Sequence, residues 1–217
     1  MASDDEAERR TQIWPLWSLR LSTDRLELRL PSEDEAVHLA AVAPDDLETD
    51  PAWPLPEGPR PLASGVLRGY FRALGQWKID SWVLPFGVWL DGDPIGFQAL
   101  EAERFALLGT VETSSWLVPR ARGSGLGKEM RAAVLALAFD HLGAARAVSG
   151  AWEWNQSSLG VSRALGYVDN GWDFESHAER SGVMRRVILE KDQWNGDRWG
   201  TKVEGLEACR AWFGATA

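Results

Sequence analysis

Residues 116–142 read WLVPRARGSGLGKEMRAAVLALAFDHL: the end of an apolar stretch, then three glycines at alternate positions, then apolar residues at helical spacing. A glycine within regular structure costs roughly 0.5–1 kcal/mol relative to alanine, so such a cluster marks backbone that must bend or approach something closely. Strand, glycine turn and helix in that order confine the chain to folds in which a sheet feeds directly into a covering helix. The first turn of such a helix offers amides without internal partners at the positive end of its dipole, and glycines keep Cβ atoms out of an anion's way. Gly123, Gly125 and Gly127, with Arg122 and Lys128, are therefore a candidate phosphate cradle; a plain flexible lead into a helix fits the glycines equally well. The glycine spacing and the missing Lys-Ser/Thr pair argue against a P-loop, and G-x-G-x-G arriving after several strands is a poor dinucleotide fingerprint.

On either side, the periodicity switches between sheet and helix. Residues 19–30, LRLSTDRLELRL, alternate as one strand, and Ser32 with Glu35 resembles a capping box opening a helix to about residue 42. Residues 43–61, APDDLETDPAWPLPEGPRP, carry too many prolines and acids for regular structure, and a loop this long in a compact domain is commonly functional. A helix over 63–77 precedes strands over 82–90 and 94–101, joined at DGDP, where glycine supplies a positive φ. A strand over 109–118 leads into the glycine turn. Helix 125–142, strand 144–154, helix 157–165 closed by Gly166, strands near 167–176 and 182–190, and a helical tail around 203–213 complete the pattern. That order predicts a mixed α/β fold with about seven strands flanked by helices. Residues 1–18, opening MASDDEAERR, read as a flexible polar lead-in, which leaves one domain over 19–217.

A hydrophobic fraction of 45% and a charged fraction of 25% suit a soluble globular chain. No apolar run approaches the roughly 20 residues of a membrane span, and the N-terminus is no signal peptide, so neither membrane nor secretion is expected. The single cysteine, Cys209, forms no internal disulfide and suits a reducing cytoplasm; with no histidine nearby it is a poor catalytic thiol. A net charge of −9 argues against nucleic acid as the main partner and leaves room for a cationic or amine-bearing one. The 13 tryptophans are mostly packing residues, with some available as flat walls of a cleft.

The flanks of the glycine turn carry a resemblance. RGSGLG fits Q/R-x-x-G-x-G/A through Arg122, Gly125 and Gly127; LAFDHLGAARAVSGAWEWN fits a helix end and the following strand; NQSS fits N-x-x-S through Asn155 and Ser158; RALGY fits a helix ending in Gly-aromatic. Together these resemble the acetyl-CoA-binding core of the GNAT superfamily of N-acetyltransferases, and most the RimJ/RimL-like branch, whose first strand LSTDRLELRL also resembles. The resemblance spans about residues 19–190, although residues 44–82 match nothing specific. It implies a GNAT-like α/β fold with a V-shaped splay between the fourth and fifth strands, those at 109–118 and 146–154. It also implies direct acetyl transfer from acetyl-CoA, with no metal, to a primary amine of a peptide N-terminus or small molecule. Homodimers are frequent in the branch.

Residue by residue, the resemblance assigns Trp116, Leu117 and Val118 to the pantetheine through their backbones. The pyrophosphate would lie on Arg122, Gly123, Ser124, Gly125, Leu126, Gly127 and Lys128, and the pantetheine arm would touch Asn155 and Ser158. Many relatives place a thiolate-protonating tyrosine seven residues after the asparagine; here that residue is Ser162, so Ser158 is the expected donor to the thiolate. Ser158 is also placed to cap the following helix. Glu112, on the strand entering the loop, is the candidate base: a carboxylate beside an apolar channel has its proton affinity raised by desolvation. A solvent-facing strand residue is the competing reading.

Other candidates rank lower. His38 and His141 fall on helices as surface residues, while His177 could reach an acceptor. Asp173 and Glu175 could attract a cation, and Trp53 could shape the acceptor site. Two functions stay open: an acetyl-CoA-dependent N-acetyltransferase, or an acyl-CoA-binding module without turnover.

Overall fold

The computed structural model describes residues 2–49, 54–177 and 180–215. Nine strands form one sheet: β1 (Arg20–Ser22), β2 (Leu26–Arg29), β3 (Trp82–Leu90), β4 (Asp93–Ala102), β5 (Thr110–Leu117), β6 (Arg146–Trp152), β7 (Val168–His177), β8 (Arg180–Glu190) and β9 (Lys202–Glu204). Their order is β7-β8-β6-β5-β4-β3-β2-β1-β9. Neighbours are antiparallel except β5 and β6, which run parallel. The helices are α1 (Ala2–Ile13), α2 (Glu33–Ala41), α3 (Pro61–Gly75), α4 (Phe105–Leu108), α5 (Leu126–Ala136), α6 (Gln156–Leu165) and α7 (Leu206–Cys209).

Local chemistry sets several boundaries. Asp91 and Gly92 take φ of 53° and 84° between β3 and β4, the paired positive values that match the twist of a two-residue hairpin. Ser32 Oγ accepts from the Glu35 amide while Glu35 accepts from the Ser32 amide, closing the capping box of α2. Arg29 grips the same carboxylate, and these bonds hold Glu35 down at about 2. α5 has every residue from 129 to 136 buried and packs on β2, β4 and β5. α2 and α3 pack on each other, and α2 lays Leu39 over Gly87, where a Cβ would meet its side chain at 2.7 Å. Covered on both faces, β3 is buried along nearly its whole length.

The mixed α/β architecture agrees with the sequence, but there are nine strands rather than about seven. Residues 19–30 break into two strands because Thr23 turns back to Leu26 and Arg25 turns aside to Glu129. The tail expected as helix over 203–213 instead adds β9 beside β1, then α7 and a 3-10 turn that buries Phe213 completely. The helix expected over 125–142 is α-helical to Ala136 and widens into a π turn at Leu137–His141. The lead-in is not wholly loose: Ala2–Ile13 is helical, Leu16 is fully buried, and Trp14 lies edge-on to Trp212 at 4.8 Å. A count of charges conceals these apolar anchors; truncating a leucine as buried as Leu16 costs about 2–5 kcal/mol. Among the described residues no helix is long and apolar enough to cross a membrane.

Candidate active site

The parallel ladder between β5 and β6 has only three rungs, Thr110↔Arg146, Val111↔Ala147 and Glu112↔Val148. Ser149 Oγ still donates to the Thr113 carbonyl at 3.1 Å, and beyond it the strands part. Each is committed elsewhere: β5 stays paired with β4 as far as Leu117, and β6 with β8 as far as Trp152. This is the splay expected between the strands at 109–118 and 146–154.

Successive residues of a strand aim their backbone groups at opposite neighbours. Val118 donates its amide to Ile95 at 2.9 Å, and the Trp116 carbonyl lies against Gly96, so both turn toward β4. Ser115 and Leu117 therefore present their backbones to the gap. Of the three positions the sequence assigned to backbone contacts, Leu117 faces the gap, as does Ser115, while Trp116 and Val118 turn to β4.

Past β5, a 3-10 turn at Pro119–Ala121 delivers the chain to the glycine loop. Gly123 and Gly125 adopt φ of 78° and 88°, which L side chains rarely tolerate, and Gly125 starts α5. No described residue accepts from the amides of residues 123–127, which form a concave run of donors at the helix N-terminus. Arg122 Nε donates to the Leu117 carbonyl at 2.9 Å, and its two terminal nitrogens hold Asp46 at 2.6 and 2.7 Å. Arg25 ties the loop from outside, donating to the Ser124 carbonyl at 3.2 Å and to Glu129 in the first turn of α5. Lys128 is exposed at the loop's end.

Across the gap, Asn155 Oδ1 accepts from the Ser158 amide at 3.1 Å and so caps α6. The cap is thus not Ser158, and the Ser158 hydroxyl, half-buried, makes no hydrogen bond among the described residues. Indole rings of Trp152 and Trp154 stack at 4.7 Å where β6 ends.

On the opposite face of β5 lies a cavity of about 730 Å³ whose walls include Tyr70, Leu47, Glu101, Glu112, Ser114 and Trp116. Glu101 and Glu112 are directly paired across β4 and β5. Burial pushes the Glu101 carboxyl up, Glu112 adds to the shift, and a 2.8 Å bond from Ser114 Oγ opposes it. Beyond β6, Arg186 donates to Asp173 Oδ2 at 2.8 Å and also bonds Glu175. Gly150 leaves room for that guanidinium, since a Cβ there would lie 2.9 Å from its Nη1.

A family model of the acetyltransferase (GNAT) domain matches residues 25–168. The chain belongs to the GNAT acetyltransferase family. It is therefore an acyltransferase. Solved structures agree at the level of fold. RimJ of Mycobacterium smegmatis, in complex with CoA-disulfide, matches with TM-score 0.61 and 16% identity over 91% of this chain and 95% of that one. RimL, a ribosomal L7/L12 alpha-N-protein acetyltransferase, matches with TM-score 0.61 and 15% identity over 77% and 91%. A putative ribosomal-protein-serine acetyltransferase from Vibrio cholerae matches with TM-score 0.60 and 19% identity over 79% and 97%.

GNAT domains use acetyl-CoA, and the residues here fit that molecule: the unpartnered amides of the loop suit its pyrophosphate, and the parted edge of β5 suits its pantetheine. Several residues in this GNAT site gave no motif: Asp46, Arg25 and Glu101. Glu101 was legible only through the register of β4 on β5, which places it opposite Glu112. Asp173 and Glu175 are engaged by Arg186 rather than open to a cation. His38 and His141 are exposed; the His177 side chain and Trp53 lie outside the described residues. Cys209 is fully buried, which pushes its thiol up to about 12.

Proposed function

We propose that this GNAT enzyme transfers an acetyl group from acetyl-CoA directly to a primary amine within a ternary complex. The amine belongs to a protein or peptide N-terminus or to a small molecule. One observation carries the reading: the β5 edge that loses its partner beyond Glu112 leads straight to the unpartnered amides of residues 123–127. On it, those amides with Arg122 and Lys128 hold the pyrophosphate, and the backbones of Ser115 and Leu117 with Asn155 hold the pantetheine. The thioester then lies between α6 and the cavity floor.

An amine attacks only when neutral. Glu112, with Glu101 opposite, takes its proton, directly or through water. The free Ser158 hydroxyl donates to the sulfur as the carbon–sulfur bond breaks. Glu48, Glu101, Glu103 and Glu112 around the cavity outnumber Arg72, the one cation among its described lining residues, and favour a cationic acceptor. RimL, named for acetylating a ribosomal protein at its α-amine, supports a protein N-terminus as one such acceptor. The lone, buried thiol suits a reducing cytoplasm.

Thiol release from acetyl-CoA, measured against peptides of varied N-terminal residue and small amines, tests the reading. At least one amine should support release, and Ser158→Ala should cut kcat by roughly 10²-fold while leaving coenzyme A affinity unchanged. Tight coenzyme A binding without release on any amine overturns amine transfer, and unchanged turnover in Ser158→Ala removes Ser158 from the chemistry.

A further inference from the structure

Arg131, on α5, is a charged group in an apolar position. Only 4% of its surface is exposed, and it lies on the stripe that continues through Val134 and Ala138 into the core. Nη1 donates to Ser162 Oγ at 2.9 Å, Nη2 lies 3.5 Å from Ser115 Oγ, and Nε has no partner. No described carboxylate pairs with it; burial pulls its pKa down, and Tyr167 alone acts in the other direction. An enclosed cation without a counter-ion is strongly unfavourable, so an anion brought beside Arg131 would be strongly favoured.

Its two neighbours say where that anion belongs. Ser115 is on the stretch of β5 that has left β6, with its backbone turned to the gap. Ser162 is seven residues after Asn155, the position that the family resemblance gives to a thiolate-protonating tyrosine. The Ser162 hydroxyl donates to the Ser158 carbonyl at 3.3 Å and accepts from Arg131, so its proton is already committed. A short serine with a guanidinium 2.9 Å from its hydroxyl thus stands at that position. Thr113 and Ser115 alternate with Glu112 and Ser114 along β5, and among the described residues no hydrogen bond or ion pair joins Arg131 to the Glu101 or Glu112 carboxylate.

We propose that Arg131 is a catalytic residue that holds the negative charge developing on the coenzyme A sulfur. The proposal rests on the acetyl-CoA reading above. As the amine nitrogen bonds to the thioester carbonyl carbon, the carbon–sulfur bond breaks and its electron pair leaves on sulfur. The surplus proton of the nitrogen goes to the carboxylates of the cavity. The guanidinium balances the thiolate without giving up a proton, the Ser158 hydroxyl donates to the same sulfur, and the thiolate is protonated by solvent on release.

The test reads the bound thiol itself and needs no acceptor. Coenzyme A bound to the full chain is titrated by thiolate absorbance for the wild type, Arg131→Met and Arg131→Lys, with desulfo-coenzyme A affinity as the check that fold and cofactor site are intact. In the wild type the bound thiol should ionise at least tenfold more readily than free coenzyme A, a shift of about one pKa unit. Arg131→Met should abolish the shift, Arg131→Lys should keep part of it, and desulfo-coenzyme A should bind all three alike. A wild-type thiol that titrates like free coenzyme A, or a shift that survives in Arg131→Met, overturns the proposal. So does an unshifted thiol with a loss in Arg131→Met confined to acyl-CoA donors bearing a terminal carboxylate, since the anion would then belong to the acyl group. If wild-type protein binds neither coenzyme A nor its desulfo form, the acetyl-CoA reading itself fails, which is a different result.

Discussion

Asp46 holds both terminal nitrogens of Arg122, the residue that enters the glycine loop. The acidic, proline-rich segment thereby reaches the phosphate cradle, and a pyrophosphate must compete with Asp46 for the guanidinium. The pair is largely exposed, at 41% for Arg122 and 64% for Asp46, so it is worth about 0.2–1 kcal/mol. Asp46→Asn should therefore tighten coenzyme A binding by up to about fivefold at low salt, with the gain fading at high salt. Calorimetric titration at two ionic strengths decides it; unchanged affinity in both would mean that Arg122 does not reach the phosphates.

Gly125 and Gly127 make a controlled comparison within that loop. A side chain at Gly125 suffers the strain of φ 88° and would lie 3.7 Å from Arg25 Nη2, whereas a Cβ at Gly127 meets only Val161 at 3.6 Å and Leu117 at 3.7 Å. Gly125→Val should weaken coenzyme A by more than about tenfold, while Gly127→Ala stays within about threefold of wild type. Equal affinities for the two variants would remove the cradle.

The brace behind the loop is testable by stability. Glu129, only 10% exposed in its side chain, accepts from Thr23 Oγ1 at 2.5 Å, from the Arg25 amide at 3.2 Å and from the Arg25 guanidinium. Arg25→Met leaves this carboxylate short of its cation and should cost roughly 1.5–3 kcal/mol. Urea midpoints for Arg25→Met, Glu129→Gln and the double variant would show the coupling; strictly additive losses would dissolve the brace.

What was legible in the sequence follows from how local each signal is. The glycine turn and the Asp91-Gly92 hairpin are set by residues adjacent in the chain, and both form where their spacing put them, whereas the cap of α6 falls on Asn155 and not on the serine expected there. The break of 19–30 at Thr23 was not legible, because its cause is Glu129, more than a hundred residues away. That Ser115 and Leu117 face the gap while Trp116 and Val118 turn away depends on which edge of β5 meets β4, a matter of pairing rather than of composition. Arg131 did leave a trace: it interrupts an apolar helical stripe, yet only packing reveals that no described carboxylate neutralises it. Long-range register and unpaired burial are the two quantities that a linear reading lacks.

Glu101 ties the chemistry to a pH dependence whose sign can be worked out. Burial raises its pKa above the ordinary 4.5, so the folded state holds the proton more tightly than the unfolded state does. Below about 4.5 both states are protonated and nothing is lost; as pH climbs through and past that value, ionising Glu101 in the fold subtracts stability. Glu101→Gln keeps a neutral group of the same shape beside Ser114. It should raise the thermal midpoint at pH 8 and leave it unchanged at pH 4. If Glu101 and Glu112 share the proton taken from the amine, the same variant should lower kcat/KM in the neutral range, so that a more stable protein is a slower enzyme. A midpoint that moves equally at both pH values would show that the gain comes from packing and not from charge.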